Sequence, residues 1–160
     1  MLTAERLRGL LDYDAATGSF RWRERRQGVR ADGSAGCICK RRKVIVIFID
    51  GKLYLAHRLA WLHVYGDWPK QQIDHIDGDS MNNRIANLRD VSVSLNQQNR
   101  KRAARHSSSG VMGVRARNGR WVAEIRVNGR AHRLGRFDTP EAAHAAYIAA
   151  KRRLHPGCTL

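Results

Sequence analysis

The chain has 160 residues, 42% of them hydrophobic, enough for one medium domain or two small ones with thin cores. Lys and Arg number 30 against 14 Asp and Glu, a formal net charge of +16. That surplus suits a polyanionic partner, because every phosphate contact releases condensed counterions, and it exceeds what solubility alone asks for.

Thr3 is a candidate N-cap for a short amphipathic helix over Ala4–Leu11, with Leu7, Leu10 and Leu11 on one face. The opening Met1-Leu2-Thr3-Ala4-Glu5-Arg6 lacks the apolar centre of a signal peptide. Gly18–Arg23 reads as a strand, and the Gly- and Arg-rich stretch from Arg23 to Lys43 as a flexible arm or a DNA-touching loop. Cys37, Cys39 and Cys158 match neither a complete disulfide framework nor zinc-ligand spacing, so no structural zinc is expected and the thiols should be reduced in a cytoplasmic setting. Lys43–Ile49 and Lys52–Leu55 read as a hairpin around Asp50-Gly51, a pair that supplies the positive φ of a tight turn. Its apolar run, Val44–Ile49, is far short of the ~20 residues of a spanning helix, so no membrane partner is expected. His57–Tyr65 has a helical pattern stopped by Gly66, with His57 and His63 read as structural.

From Gln71 onward the chain spells strand, loop, strand, helix. A strand ending on Asp74-His75 leads into the turn-forming Asp77-Gly78-Asp79, and a second strand returns over Asn87–Val91. Ser92 or Ser94 then caps a helix holding Asn96, Asn99 and Arg100 and running to Arg105. Phosphodiester hydrolysis needs an activated water and charge stabilisation at phosphate and leaving oxygen. The carboxylate of Asp74 and the amide carbonyl of Asn96 suit a hard cation, Mg²⁺ or Mn²⁺. His75, beside the metal ligand, is placed to be the general base, a role suited to histidine as a residue type.

These residues resemble the ββα-metal, or HNH, nucleases. The wording Asp-His-Ile-Asp-Gly-Asp, Asn-Asn-Arg-Ile-Ala-Asn-Leu-Arg and Asn-Gln-Gln-Asn, with His57-Arg58-Leu59-Ala60-Trp61 before it, is similar to the homing endonucleases of phages and introns. The resemblance implies a single metal held by Asp74 and Asn96, His75 as the base, Asn87 as a catalytic-loop brace and a bacterial host cell as setting. It leaves open whether monomer or homodimer acts. Asn99 and Arg100, one turn beyond Asn96, are candidate DNA contacts. The last motif position is Asn where many members have His.

After the linker Ser107-Ser108-Ser109-Gly110, two Asn-Gly turns divide three strands over Val111–Arg117, Arg120–Val127 and Arg130–Phe137. Thr139-Pro140-Glu141 opens a helix with a cap, an N1 proline and a dipole-matching acid. Alternation places Arg115, Arg117, Arg126 and Arg133, with Glu124, on the exposed face of the sheet. Gly113-Val114-Arg115, Trp121–Arg126 and Leu134–Thr139 resemble the APETALA-type (ethylene-response-factor) DNA-binding domain, which implies duplex DNA as partner and contacts from Arg115, Arg117, Arg120, Glu124 and Arg126. The first turn lacks that family's tryptophan, and Arg133 stands where another is usual.

The expected fold is therefore α+β: an N-terminal α/β extension (1–55), a ββα-metal nuclease core (56–105), a linker (106–110) and a three-stranded antiparallel sheet packed on one helix (111–160). The expected function is a metal-dependent endonuclease with its own DNA-reading domain. The alternative is a non-catalytic DNA-binding regulator carrying an inert HNH unit.

Overall fold

The computed structural model describes residues 1–24, 30–103, 107 and 109–160. The chain is mixed α and β, with small antiparallel sheets and, among the described residues, four α-helices. It divides into two compact units, Met1–Ser92 and Val93–Leu160. No helix among the described residues is long and apolar enough to cross a membrane.

In the first unit, α1 (Ala4–Leu10) starts at Thr3, whose hydroxyl accepts from the Arg6 N–H at 3.2 Å. It runs into β1 (Leu11–Asp14), which pairs with β2 (Ser19–Trp22), and β3 (Ser34–Ala35) adds to β2. A second sheet joins β4 (Cys37–Cys39), β5 (Val44–Ile49) and β6 (Lys52–Leu55). Asp50 and Gly51 carry φ of 46° and 77° at the β5–β6 turn, the double positive φ that Asp-Gly tolerates. The Arg23–Lys43 stretch, read as an arm or loop, thus contributes two short strands, while 25–29 lie outside the described residues.

Helix α2 (Ala56–Tyr65) ends at Gly66, left-handed at φ 83°, whose N–H bonds to the Leu62 carbonyl. Leu7, Leu11, Phe20, Ile47, Ile49, Leu59 and Leu62 form its core together with Ile73 and Leu88. At roughly 1.5–3 kcal/mol per fully buried aliphatic side chain, this cluster is the main holding force of the unit. β7 (Gln72–His75) and β8 (Leu88–Val91) pair antiparallel, with Asp74 opposite Arg89 and His75 opposite Leu88. Asp90 pins the entry to β7, accepting from the N–H groups of Lys70 and Gln71 at 2.7 and 2.8 Å.

In the second unit, α3 covers only Val93–Gln98. The helix expected to reach Arg105 stops because Asn99 and Arg100 bond three residues back, to Asn96 and Gln97, and tighten the last turn. Gln98 and Asn99 are also taken up by the C-terminal segment, through Gly157 N–H and the Thr159 hydroxyl. Residues 104–106 and 108, on which the end of that helix and part of the linker fall, lie outside the described residues.

Strands β9 (Val114–Arg117), β10 (Arg120–Val127) and β11 (Arg130–Phe137) form one antiparallel sheet in the order 11-10-9. Asn118-Gly119 and Asn128-Gly129 turn them with φ between 50° and 79°. Val114, Ala123 and the Ala143 of α4 (Pro140–Leu154) make the centre of its core, with Trp121, Leu134 and Phe137 around them. The Thr139 hydroxyl caps α4 by accepting from Ala142 N–H. Gly113 sits at φ 71° directly against the Tyr147 ring, where an added Cβ would lie 1.9 Å from the nearest ring carbon. Lys151, 1% exposed on α4, donates its ammonium to the Arg100 carbonyl, which ties the helix to the segment after α3.

Candidate active site and nucleic-acid interface

The end of β7 delivers Asp74 and His75 side by side, and both are buried. Arg89, on the opposed position of β8, reaches Asp74 Oδ2 with Nε at 2.9 Å and Nη2 at 2.7 Å. The loop from Ile76 to Ala86 is closed by Asn87. Its side-chain carbonyl accepts from Asp77 N–H at 3.0 Å, and its amide group donates to Asp77 Oδ1 and the Asn82 carbonyl, each at 2.9 Å. Its backbone carbonyl accepts from Ile76 N–H as well. Asp77 is raised by its burial, but the Asp79 N–H and the Asn82 and Asn87 amides outweigh this and hold its carboxyl below the ordinary range. Both its oxygens accept inside the loop, so Asp77 shapes the turn.

Asn83 is a functional candidate that motif reading passed over. It is 1% exposed, and its Oδ1 lies 3.1 Å from His75 Nε2. The carbonyl of Asn83 accepts from the Tyr13 hydroxyl of β1 at 2.7 Å. Burial pushes Tyr13 up to about 12, so it remains a donor at any working pH. Gly18, at φ 75°, abuts the same place: a Cβ there would fall 2.5 Å from the Asn83 carbonyl carbon and the Arg84 nitrogen. The β1–β2 hairpin therefore backs the residue that holds His75. Only the doubled Asn82-Asn83 hinted at this in the sequence.

His57 of α2 packs edge-on against His75, with ring centroids 5.1 Å apart. Burial first, then the neighbouring His75 and Arg58, push His57 down from 6.5 to about 4. A folded value below the unfolded one gives stability that is complete above about pH 6.5 and declines as pH falls toward 4. The melting temperature of the protein should accordingly drop across that window, and His57→Gln should flatten the drop. An unchanged acid limb in the variant would remove His57 as its source.

Asn96 lies on α3, in the second unit, half-buried. Asp74, His75 and Asn87 are thus brought together within one unit, and Asn96 belongs to the other. A buried carboxylate at a strand end is suitable donor chemistry for a hard cation. Among the described residues no three or more His, Cys, Asp or Glu side chains gather as ligands, so a cation on Asp74 would depend on an amide, water and phosphate oxygens for the rest.

On the second unit's sheet, Arg115, Arg117, Arg120, Arg126 and Arg133 are all exposed. Register places Arg117 opposite Arg120, and Glu124 opposite Arg133 across a bulge. Glu124 also accepts from Arg115 at 2.8 Å, which fixes that guanidinium, and Arg120 pairs with Asp138 at 3.0 Å. Arg100 is exposed, whereas Asn99 is 4% exposed and its amide oxygen accepts from Thr159 at 2.6 Å.

Two family models match the chain. Residues 54–98 match the family model described as HNH endonuclease, and residues 109–155 match that of the AP2 domain. An ethylene-responsive transcription factor of Arabidopsis thaliana is 55% identical over 58 residues, which covers 34% of this chain and 23% of that protein. The chain thus spans about a quarter of the length of that curated relative. No solved structure matches. The chain carries an HNH endonuclease domain followed by an AP2 domain.

Proposed function

We propose that this protein is a divalent-metal-dependent DNA endonuclease of the HNH homing type, with sequence preference supplied by the arginine-bearing sheet of its second unit. The observation that carries the reading is the buried Asp74-His75 pair, placed at a strand end beside a loop that Asn87 cross-links and Asn83 secures. It lies inside the segment that matches the HNH endonuclease family.

In this reading β7, β8 and α3 make up the ββα-metal core. By the family resemblance Asp74 and Asn96 would hold one Mg²⁺ or Mn²⁺, which would stabilise charge on the phosphate and the leaving oxygen. His75 takes the proton of the attacking water. Asn83 Oδ1 is an acceptor, so it favours the tautomer with the proton on His75 Nε2 and the lone pair on Nδ1. Asn87 keeps the loop in shape without taking part in proton transfer. The sheet arginines hold phosphates and base edges of duplex DNA, which fixes where cutting happens.

A plasmid-nicking assay with Mg²⁺ or Mn²⁺ tests the proposal. Supercoiled DNA should be converted to nicked or linear form, and EDTA should stop conversion by at least a hundredfold. A non-catalytic DNA-binding regulator is the second reading, favoured by the resemblance of the second unit to a transcription factor. Under that reading the plasmid stays supercoiled with either metal.

A further inference from the structure

We infer that the turn Lys40-Arg41-Arg42-Lys43 is a clamp for the phosphate backbone of duplex DNA, placed beside the catalytic loop. That the neighbouring loop is catalytic rests on the nuclease reading above; the DNA contact does not.

All four residues are exposed and consecutive, at the junction of β4 and β5. The turn is closed: the N–H groups of Arg42 and Lys43 both bond to the Cys39 carbonyl, at 3.1 and 2.7 Å, and Lys43 takes φ 53°. Four like charges are thus held on one tight bend, where they repel each other. Elsewhere in this unit Arg6 is paired with Asp50, Arg23 with Asp12 and Arg89 with Asp74. Among the described residues, none of the four turn residues forms an ion pair with an acid. A concentrated cationic bend without internal compensation is built for an external polyanion.

Its position decides which polyanion. The Ser80 hydroxyl donates to the Lys43 carbonyl at 2.5 Å. Ser80 belongs to the loop between His75 and Asn87, next to Asp79, whose N–H is bound by Asp77. The bend is therefore fastened to the same loop that the HNH motif builds. Because the bend is bonded to that loop at Ser80, phosphates flanking a phosphodiester at the loop are the ones its long Lys and Arg side chains would meet. Such contacts position the duplex and carry no sequence information, so the clamp complements base reading by the second unit.

The test uses the full chain and a roughly 30-bp duplex, with binding measured by fluorescence anisotropy in EDTA over a range of KCl concentrations. The variant Lys40→Gln/Arg41→Gln/Arg42→Gln should lose about tenfold or more in affinity near 100 mM salt. Its log–log salt slope should fall by about three, at ~0.9 per phosphate contact. The charge-preserving Lys40→Arg/Arg41→Lys/Arg42→Lys should keep the wild-type slope, and thermal melts verify that both variants are folded. An unchanged slope in the folded glutamine variant, or equal loss in the charge-preserving one, overturns the clamp. Because this measurement needs no cleavage, an inactive wild type would defeat the nuclease reading and leave the clamp standing. In a cutting wild type, ethylation of phosphates within one helical turn of the nick should impair binding, and the glutamine variant should lose that sensitivity. Sensitivity confined to more distant phosphates would overturn the placement.

Discussion

Replacing His75 with alanine is expected to slow single-turnover DNA nicking by about 10²–10⁴-fold, the usual worth of a general base. Duplex affinity in EDTA should stay within about twofold, because the basic groups that bind phosphate are untouched. Asn83→Leu should fall between these limits. It keeps the branched shape of a fully buried side chain but removes the Oδ1 that faces His75 Nε2, so both tautomers and more ring orientations become populated. A rate loss of about ten- to a hundredfold in kcat with little change in KM is expected, and Asn83→Asp, which retains an acceptor oxygen, should recover part of it. Wild-type nicking by His75→Ala would mean that the base lies elsewhere. Equal loss in the Leu and Asp variants would reduce Asn83 to a packing role.

The second large effect is on stability. Gly113→Ala places a methyl 1.9 Å from the Tyr147 ring at a φ of 71°. The ring belongs to a half-buried residue of α4, and the Gly113 carbonyl accepts from Glu124 N–H at 2.9 Å, so neither side yields easily. Left-handed strain and overpacking each cost about 1–3 kcal/mol, a large share of the 5–15 kcal/mol a small domain has to lose. The melting temperature of the second unit should fall by about 10 °C or more, and DNA affinity should fall with it. Adding Tyr147→Ala relieves the collision but not the strain. If Gly113→Ala melts with the wild type, the close approach of Gly113 to Tyr147 is not a real constraint.

Much of this architecture was legible in the chain because single residues dictate backbone geometry. Asp50-Gly51 and the two Asn-Gly pairs require positive φ and do turn hairpins. Thr3 and Thr139 cap helices through hydrogen bonds within their first turns, and Gly66 ends α2. What escaped notice depends on distant partners. The two- and three-residue strands β3 and β4 are too short to show alternation, and exist through pairing with β2 and β5. The side chains at the end of α3, Gln98 and Asn99, are taken up by Gly157 and Thr159, some sixty positions away. The Asp-His pair was visible as a motif because its chemistry is local. Asn83 was not, because its meaning depends on Tyr13 seventy positions earlier.

The core that joins Leu7, Leu11 and Phe20 to Leu59, Ile73 and Leu88 has a consequence for how such a chain can be taken apart. The Asp74-His75 motif has no private interior. A fragment beginning at the motif's own helix would expose the apolar sides of Leu59, Ile73 and Leu88 and forfeit the wall at Gly18 and Tyr13. Recombination or protein engineering that trades DNA-reading modules must therefore leave the segment after Ala56 with what precedes it, because a cut ahead of Ala56 separates one half of a hydrophobic interior from the other. The elements from α1 to β8 share one interior and have to be moved together.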